Sequence, residues 1–431
     1  MSRTKAEVLE LLNAPERLKN LEMLVHEVKQ GKLPTPVTGR DVNNHIHTQY
    51  SFSPYSPTAA AWFAWQAGLC TAGIIDHDSV AGAKEFLKAC KIVGIAGTIG
   101  VECRVSLSGT PFAEKKVNNP DQAGVIYTTV HGIPHDKIGE VDAFFAPYRE
   151  KRNVRNRKMV EGVNRLMAPY GLTIDFDRDV LPLSRYPEGG GVTERHIACA
   201  LANRMLEAFG PGEALAGFIK NTLKLPLPGK VEGYLTQPEN PDRMYDLLGW
   251  IKAELISKFY IDATDECPTV SEVLTLSERV GAISAYPYLG DVGDSVTGDK
   301  RAQKFEDDFL AELMDFLKGA GYRGVTYMPS RNTRAQLDRL RALAEGRAFF
   351  EISGEDINSP RQSFVCMAQR DPAFDHLYDS TWALIAHENL ATKDPAEGFF
   401  AEKAVAKYPD IAMRTRAFAE IALNAHALGE Y

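Results

Sequence analysis

The 431-residue sequence has six cysteines and no Cys-x-x-Cys pair, which excludes a zinc ribbon and argues against the disulfide framework of a small secreted domain. No stretch approaches the ~18 apolar residues that a membrane span requires. The N-terminus, Met1-Ser-Arg-Thr-Lys running into Ala6-Glu-Val-Leu-Glu-Leu-Leu, lacks the apolar core and small-residue cleavage site of a secretory signal. Positive charge is not in excess: 49 Lys+Arg face 57 Asp+Glu, a net charge of −8, so there is no electrostatic footprint for duplex nucleic acid. Internal repeats and low-complexity tracts are missing too. What remains is a chain with 44% hydrophobic and 25% charged residues, which excludes disorder. The expectation is a cytoplasmic, membrane-free protein that acts on a small molecule.

Residues 4–30 read as one or two surface helices, broken by Gly31-Lys-Leu-Pro-Thr-Pro36. Short apolar runs then alternate with helical patterns. Strands are predicted over 42–47, 72–76, 97–105, 124–131, 282–288, 324–328 and 348–353, with helices over 58–69, 81–93, 302–318 and 333–344. This βα alternation implies a mainly parallel α/β sheet or barrel of seven strands. Residues 145–275 interrupt the rhythm with helical patterns and Pro/Gly-rich loops, and beyond Asp371 the tail is helical again and is expected on the outside of the barrel. The expected organisation is a helical extension over 1–40, a barrel built from 41–144 and 276–370, a helical insertion over 145–275, and a C-terminal helical extension over 371–431.

Several apolar runs end in residues that carry chemistry. In Asn43-Asn-His45-Ile-His47-Thr48 two imidazoles lie two apart on a strand and point the same way, an arrangement suited to capturing a metal. The run Gly73-Ile-Ile ends in Asp76-His77-Asp78. Loops at the carboxyl ends of barrel strands usually carry the active site, and Asp78 can also be read as the cap of the next helix. Glu102 sits late in an apolar strand, where a carboxylate is costly unless paired or metal-bound, and His131 closes Val125-Ile-Tyr-Thr-Thr-Val130. Near the end of the barrel, Phe350-Glu-Ile-Ser-Gly-Glu355-Asp356-Ile-Asn358 makes Asp356 the best late ligand candidate. A run of Arg149, Arg152, Arg155 and Lys158 shares one helical face, usually a solvated one. Alternatively, Arg152, Arg195 or Arg361 reaches over the barrel mouth to hold an anionic substrate.

The order His-x-His-Thr, Asp-His-Asp, Gly-x-Glu, a later His and a final Gly-x-Asp-x-Asn resembles the polymerase and histidinol phosphatase (PHP) family, over roughly residues 40–135 and 280–360. The resemblance implies an α/β fold, a distorted seven-stranded (β/α) barrel with a helical insertion and helical N- and C-terminal extensions. It also implies two or three divalent ions (Zn, Fe or Mn) at the carboxyl mouth. His45, His47, His77, Glu102, His131 and Asp356 match ligand positions, and His196 in Arg195-His196-Ile-Ala resembles a ligand on the family's insertion. Asp76 is a ligand or an orienting partner. The activity implied is hydrolysis of a small phosphorylated metabolite or nucleotide by a metal-bridged hydroxide, with Glu102 bridging the metals and His77 or Asp76 moving the proton. Three positions depart from the pattern: Phe52 replaces an aspartate, Tyr286 the histidine of Ala-His-Pro, and Asn358 the histidine of Asp-x-His. Tyr286 and Asn358 can still offer oxygens, and Asp291 and Asp294 are possible substitutes. Two other readings stay open, a metal-dependent amidohydrolase, which would need an eighth strand and a bridging lysine, and a degenerate metal-binding barrel.

Overall fold

A computed structural model describes residues 3–292 and 303–430; the proposed ligand Asp294 and the start of the helix expected from 302 fall outside these residues. Seven strands form where the short apolar runs lie: β1 (Val42–Ile46), β2 (Thr71–His77), β3 (Ala96–Ser106), β4 (Val125–His131), β5 (Ile283–Pro287), β6 (Gly324–Tyr327) and β7 (Phe350–Ser353). They are joined in sequence order into one sheet. Beyond β7 the chain closes the barrel: the Ile357 N–H donates to the His45 carbonyl at 3.1 Å and the His47 N–H to the Ile357 carbonyl at 2.9 Å. Asn43 staples the same seam, donating to the Glu355 carbonyl and accepting from the Glu355 N–H. The fold is a nearly closed, distorted (β/α) barrel with helical extensions.

One strand runs against the βα expectation. β4 is antiparallel to both β3 and β5, because the connection from β3 to β4 contains no helix and so supplies no crossover to return the chain in parallel. Its last residue, His131, therefore pairs with Gly100 and Ile283, toward the N-terminal end of the parallel strands.

Helices α1 (Lys5–Asn13), α2 (Arg17–Lys29), α3 (Pro57–Gln66) and α4 (Ala83–Val93) come first in the chain. After β4 the chain forms α5 (Ile138–Met167), α6 (Glu194–Phe209), α7 (Glu213–Gly217), α8 (Gly229–Thr236), α9 (Arg243–Glu254) and α10 (Val270–Val280). Then come α11 (Leu310–Ala320), α12 (Arg334–Glu345), α13 (His376–Lys393), α14 (Glu402–Lys407) and α15 (Ile411–Ala427). Three apolar clusters organise them. One joins the strands to α1–α4 and α10–α12. A second, from Met159 to Phe259 with Phe52 as its one contribution from the barrel, is built by the segment between β4 and β5.

The third cluster corrects the placement of the C-terminal tail. Trp382 to Ala386 of α13 pack on Ala96, Ile283, Ala285, Phe350 and Ile352. These positions alternate along their strands in phase with Thr98, Gly100 and Glu102, so α13 plugs the inside of the barrel at its N-terminal end rather than lying on its outer wall. The buried Glu388 fixes this plug, accepting from Thr98 Oγ1 at 2.6 Å, the Ile99 N–H at 2.9 Å and His135 Nε2 at 2.8 Å. Among the described residues no helix is long and apolar enough to cross a membrane.

Candidate metal centre

β1, β2, β3 and the seam after β7 converge on one carboxylate. Glu102 Oε2 lies 3.2 Å from His77 Nδ1, 3.6 Å from His45 Nε2 and 3.7 Å from His47 Nε2. His47 Nε2 is also 3.3 Å from Asp356 Oδ1. The register explains the meeting: His77 pairs with Glu102, and the pairing of Ile46 with Ile357 sets Asp356 beside His47. Candidate ligand atoms of His45, His47 and Glu102 all fall within 4.8 Å of one another, and the His47 and His77 rings stack at 4.7 Å.

The electrostatics suit a cation. Burial works to raise the Glu102 carboxyl, but His77, His45 and His47 outweigh it and hold it down at about 2. Asp356 is likewise held well below the usual carboxylate range, burial being overcome by His47, His45 and Arg195. Burial pushes His77 down to about 3. His131 also falls to about 3, through burial and then the charge of His45. Both rings are thus neutral and keep a lone pair for a metal. His131 faces the same side of the sheet as Glu102, and its buried Nε2 has no hydrogen-bond partner. An orphaned imidazole nitrogen on the sheet face that carries a carboxylate ringed by three imidazoles fits a divalent metal site, since buried polar atoms otherwise find partners.

Other sequence candidates take different places. Asp76 accepts from the Thr48 N–H (2.6 Å), Thr48 Oγ1 (2.6 Å) and Ser51 Oγ (2.7 Å), so its carboxylate clamps the loop after His47. His196 is buried, takes the Thr193 N–H on Nδ1 at 2.9 Å and meets the Phe52 ring edge-on at 4.9 Å. Tyr286 does not offer its oxygen to the centre. Ala285 faces the interior, so its neighbour Tyr286 faces the outer helices, where its hydroxyl donates to the buried Glu306 at 2.9 Å. Asp291 Oδ1 accepts from the Phe305 N–H at 2.7 Å. Asn358 lies between charges: Oδ1 accepts from Arg195 at 2.5 Å and Nδ2 donates to Asp356 at 2.5 Å.

The arginines also sort differently from expectation. Arg149, Arg152 and Arg155 are buried, not solvated. Arg152 pairs with Asp78 Oδ2 at 2.5 Å, Arg155 pairs with Glu194 and Glu266, and Arg104 bonds the same two glutamates, each at 3.1 Å. This balanced network of three arginines and three carboxylates bolts α5 and α6 to β3. It also overturns the helix-cap reading of Asp78. That residue adopts a left-handed backbone (φ +52), while α4 begins at Ala83 without a side-chain cap. Arg361 is tied to Asp246 on α9 by two bonds and lies 4.0 Å over the Tyr234 ring. Of the three predicted substrate-holding arginines, only Arg195 has no carboxylate within ion-pair distance among the described residues. A groove of about 650 Å³ between α10 and α11 is lined by hydroxyls of Ser106, Thr110, Ser271 and Thr275 and contains no histidine or cysteine, so it offers no comparable chemistry.

The sequence matches no protein-family model and no curated protein. Among solved structures it is similar to a Bifidobacterium adolescentis protein described provisionally as a metal-dependent phosphoesterase. The identity is 20% and the TM-score 0.51, over 77% of this chain and 92% of that one. An amidohydrolase from Chromobacterium violaceum, solved with sulfate and no metal, aligns at 16% identity and a TM-score of 0.48, over 75% and 90% of the two chains. The first likeness establishes the shared fold; the second is too low to carry an argument.

Proposed function

We propose that this chain is a metal-dependent hydrolase of the PHP type, a phosphoesterase acting on a small phosphorylated metabolite or nucleotide in the cytoplasm. The observation that carries the reading is the Glu102 carboxylate with three imidazole nitrogens within 3.7 Å of one oxygen. His45, His47, His77, Glu102, His131 and Asp356 would hold two or three divalent ions (zinc, iron or manganese). Such ions, when bound, lower the pKa of water and neutralise charge on a phosphoryl oxygen. The protein's own residues do the rest. Asp76 fixes the loop that carries His47, Thr48 and Ser51. Asn358 holds Arg195 by one nitrogen, leaving its other N–H groups for a phosphate oxygen.

The barrel has seven strands and, among the described residues, no lysine stands among the cluster's charged contacts, both against the amidohydrolase reading. The test is elemental analysis of the purified protein, paired with a screen of phosphomonoesters, cyclic phosphates, phosphodiesters and amides. Divalent metal at about two ions per chain, with turnover of phosphoesters only, supports the proposal. Turnover of amides alone, or metal-independent turnover, refutes it.

A further inference from the structure

A histidine that binds a metal does so through a ring nitrogen free of its proton, and the hydrogen bond made by the other nitrogen decides which one that is. His47 is the imidazole that joins both halves of the candidate centre. Its Nε2 lies 3.3 Å from Asp356 Oδ1, beyond the last strand, and 3.7 Å from Glu102 Oε2 on β3. The other nitrogen, Nδ1, meets Ser51 Oγ at 3.3 Å. Ser51 Oγ in turn lies 2.7 Å from Asp76 Oδ1. His47, Ser51 and Asp76 are each at most 2% exposed, so these contacts are shielded from solvent. Backbone bonds hold the hydroxyl in place over the ring. The Ser51 N–H donates to the Thr48 carbonyl at 3.1 Å, and the Gly191 N–H donates to the neighbouring Tyr50 carbonyl at 2.7 Å, which ties this loop to the insertion.

The available protons give this chain of contacts a direction. Asp76 Oδ1 accepts the Thr48 N–H at 2.6 Å, and a backbone amide can only donate. That oxygen is therefore an acceptor toward Ser51 as well. A hydroxyl has one proton, and here it goes to Asp76. Toward His47 the Ser51 oxygen is left with lone pairs only, so the bond between them requires a proton on Nδ1. Nε2, facing Glu102 and Asp356, is then the nitrogen left to meet a cation. We propose that Ser51 is a positioning residue that, held by Asp76, fixes His47 with its proton on Nδ1 and keeps Nε2 as the metal-binding nitrogen. Asp76 thereby acts through Ser51 rather than as the proton carrier considered from the sequence, since donors from Thr48 and Ser51 occupy both its oxygens. The inference rests on the metal-centre reading for what Nε2 binds, but the position of the His47 proton is a separate claim.

The test uses the full chain loaded with zinc, a diamagnetic probe metal, and carrying isotope-labelled histidine. Long-range proton–nitrogen correlation spectra, with His47 assigned by the signals lost in His47→Gln, should show the proton on Nδ1 and none on Nε2. Zinc affinity is measured in parallel by competition with a chelator. Ser51→Ala should weaken zinc about ten- to a hundredfold, and Ser51→Thr, which restores a hydroxyl, should recover most of that loss. Ser53→Ala removes another hydroxyl of the same loop, one that accepts the Tyr55 N–H, and should change zinc affinity less than about twofold. Circular dichroism checks the fold of each variant. An Nδ1 without its proton in the parent overturns the proposal, and so does a folded Ser51→Ala whose zinc affinity stays within about twofold of the parent. Where Ser51→Ala does not fold, the parent spectrum decides alone. A chain that takes up no zinc removes the metal-dependent reaction instead, and the His47 proton in its spectrum still decides the role of Ser51.

Discussion

His47 Nε2 and Asp356 Oδ1 lie 3.3 Å apart although one follows the first barrel strand and the other the last. Main-chain hydrogen bonds between Ile357 and both His45 and His47 create the meeting, so the candidate centre sits on the barrel's closing seam.

Glu102→Gln keeps the size of the side chain and removes the charge to which three imidazoles point. Phosphoester turnover should drop at least about a hundredfold, as for loss of other charge-stabilising groups in active sites, and metal content should fall with it. Circular dichroism should show an unchanged fold. Undiminished turnover would remove Glu102 from the centre.

Tyr286→Phe should leave metal content and turnover unchanged, because the hydroxyl faces the outer layer and donates to Glu306. The cost should fall on stability, about 0.5 to 1.5 kcal/mol, since the Glu306 oxygen loses one donor but keeps the N–H groups of Leu289 and Gly290. Thermal unfolding together with an activity assay checks both halves. Loss of metal in this variant would place Tyr286 at the centre after all.

Arg104→Met should be far more damaging to the fold than an exposed ion-pair deletion. It leaves Glu194 and Glu266 short of positive charge in a buried network. Removal of one partner from such a network costs on the order of 3 to 5 kcal/mol, measurable by urea unfolding. A cost below about 1 kcal/mol would mean that the network is solvated and does not bolt the insertion to β3.

Much of this was legible in the sequence, and the gaps have physical causes. Seven apolar runs bounded by Gly, Pro and polar residues became the seven strands, and the ends of those runs brought His45, His47, His77 and Glu102 together. Strand alternation does not reveal which phase faces inward, so Tyr286 could not be separated from Ala285 without neighbours. The arginines of α5 read as a solvated face because their partners, Asp78, Glu194 and Glu266, come from distant segments that only tertiary packing assembles. Direction is similarly hidden: nothing in Val125–His131 itself shows that β4 runs antiparallel.

Acid stability should report the barrel plug. His387 on α13 is buried and lowered to about 4 by burial, and its Nδ1 accepts from the Phe399 N–H at 3.0 Å. Between its ordinary value and 4 the unfolded chain binds the proton that the folded chain refuses, so stability falls as pH drops through that window and levels off below it. The contribution is at most about 3 kcal/mol. His387→Gln should flatten the stability profile from pH 6.5 to 4 relative to the parent protein. An equally steep profile in the variant would show that His387 is not held neutral.

The most direct test of the central claim is an anomalous-difference map from crystals of the metal-containing protein, recorded at the absorption edges of zinc, iron and manganese. The account predicts strong peaks about 2.0 to 2.3 Å from the nitrogens of His45 and His47 and from oxygens of Glu102 and Asp356. A map with no peak at that cluster, or with its metal bound elsewhere on the chain, would contradict it.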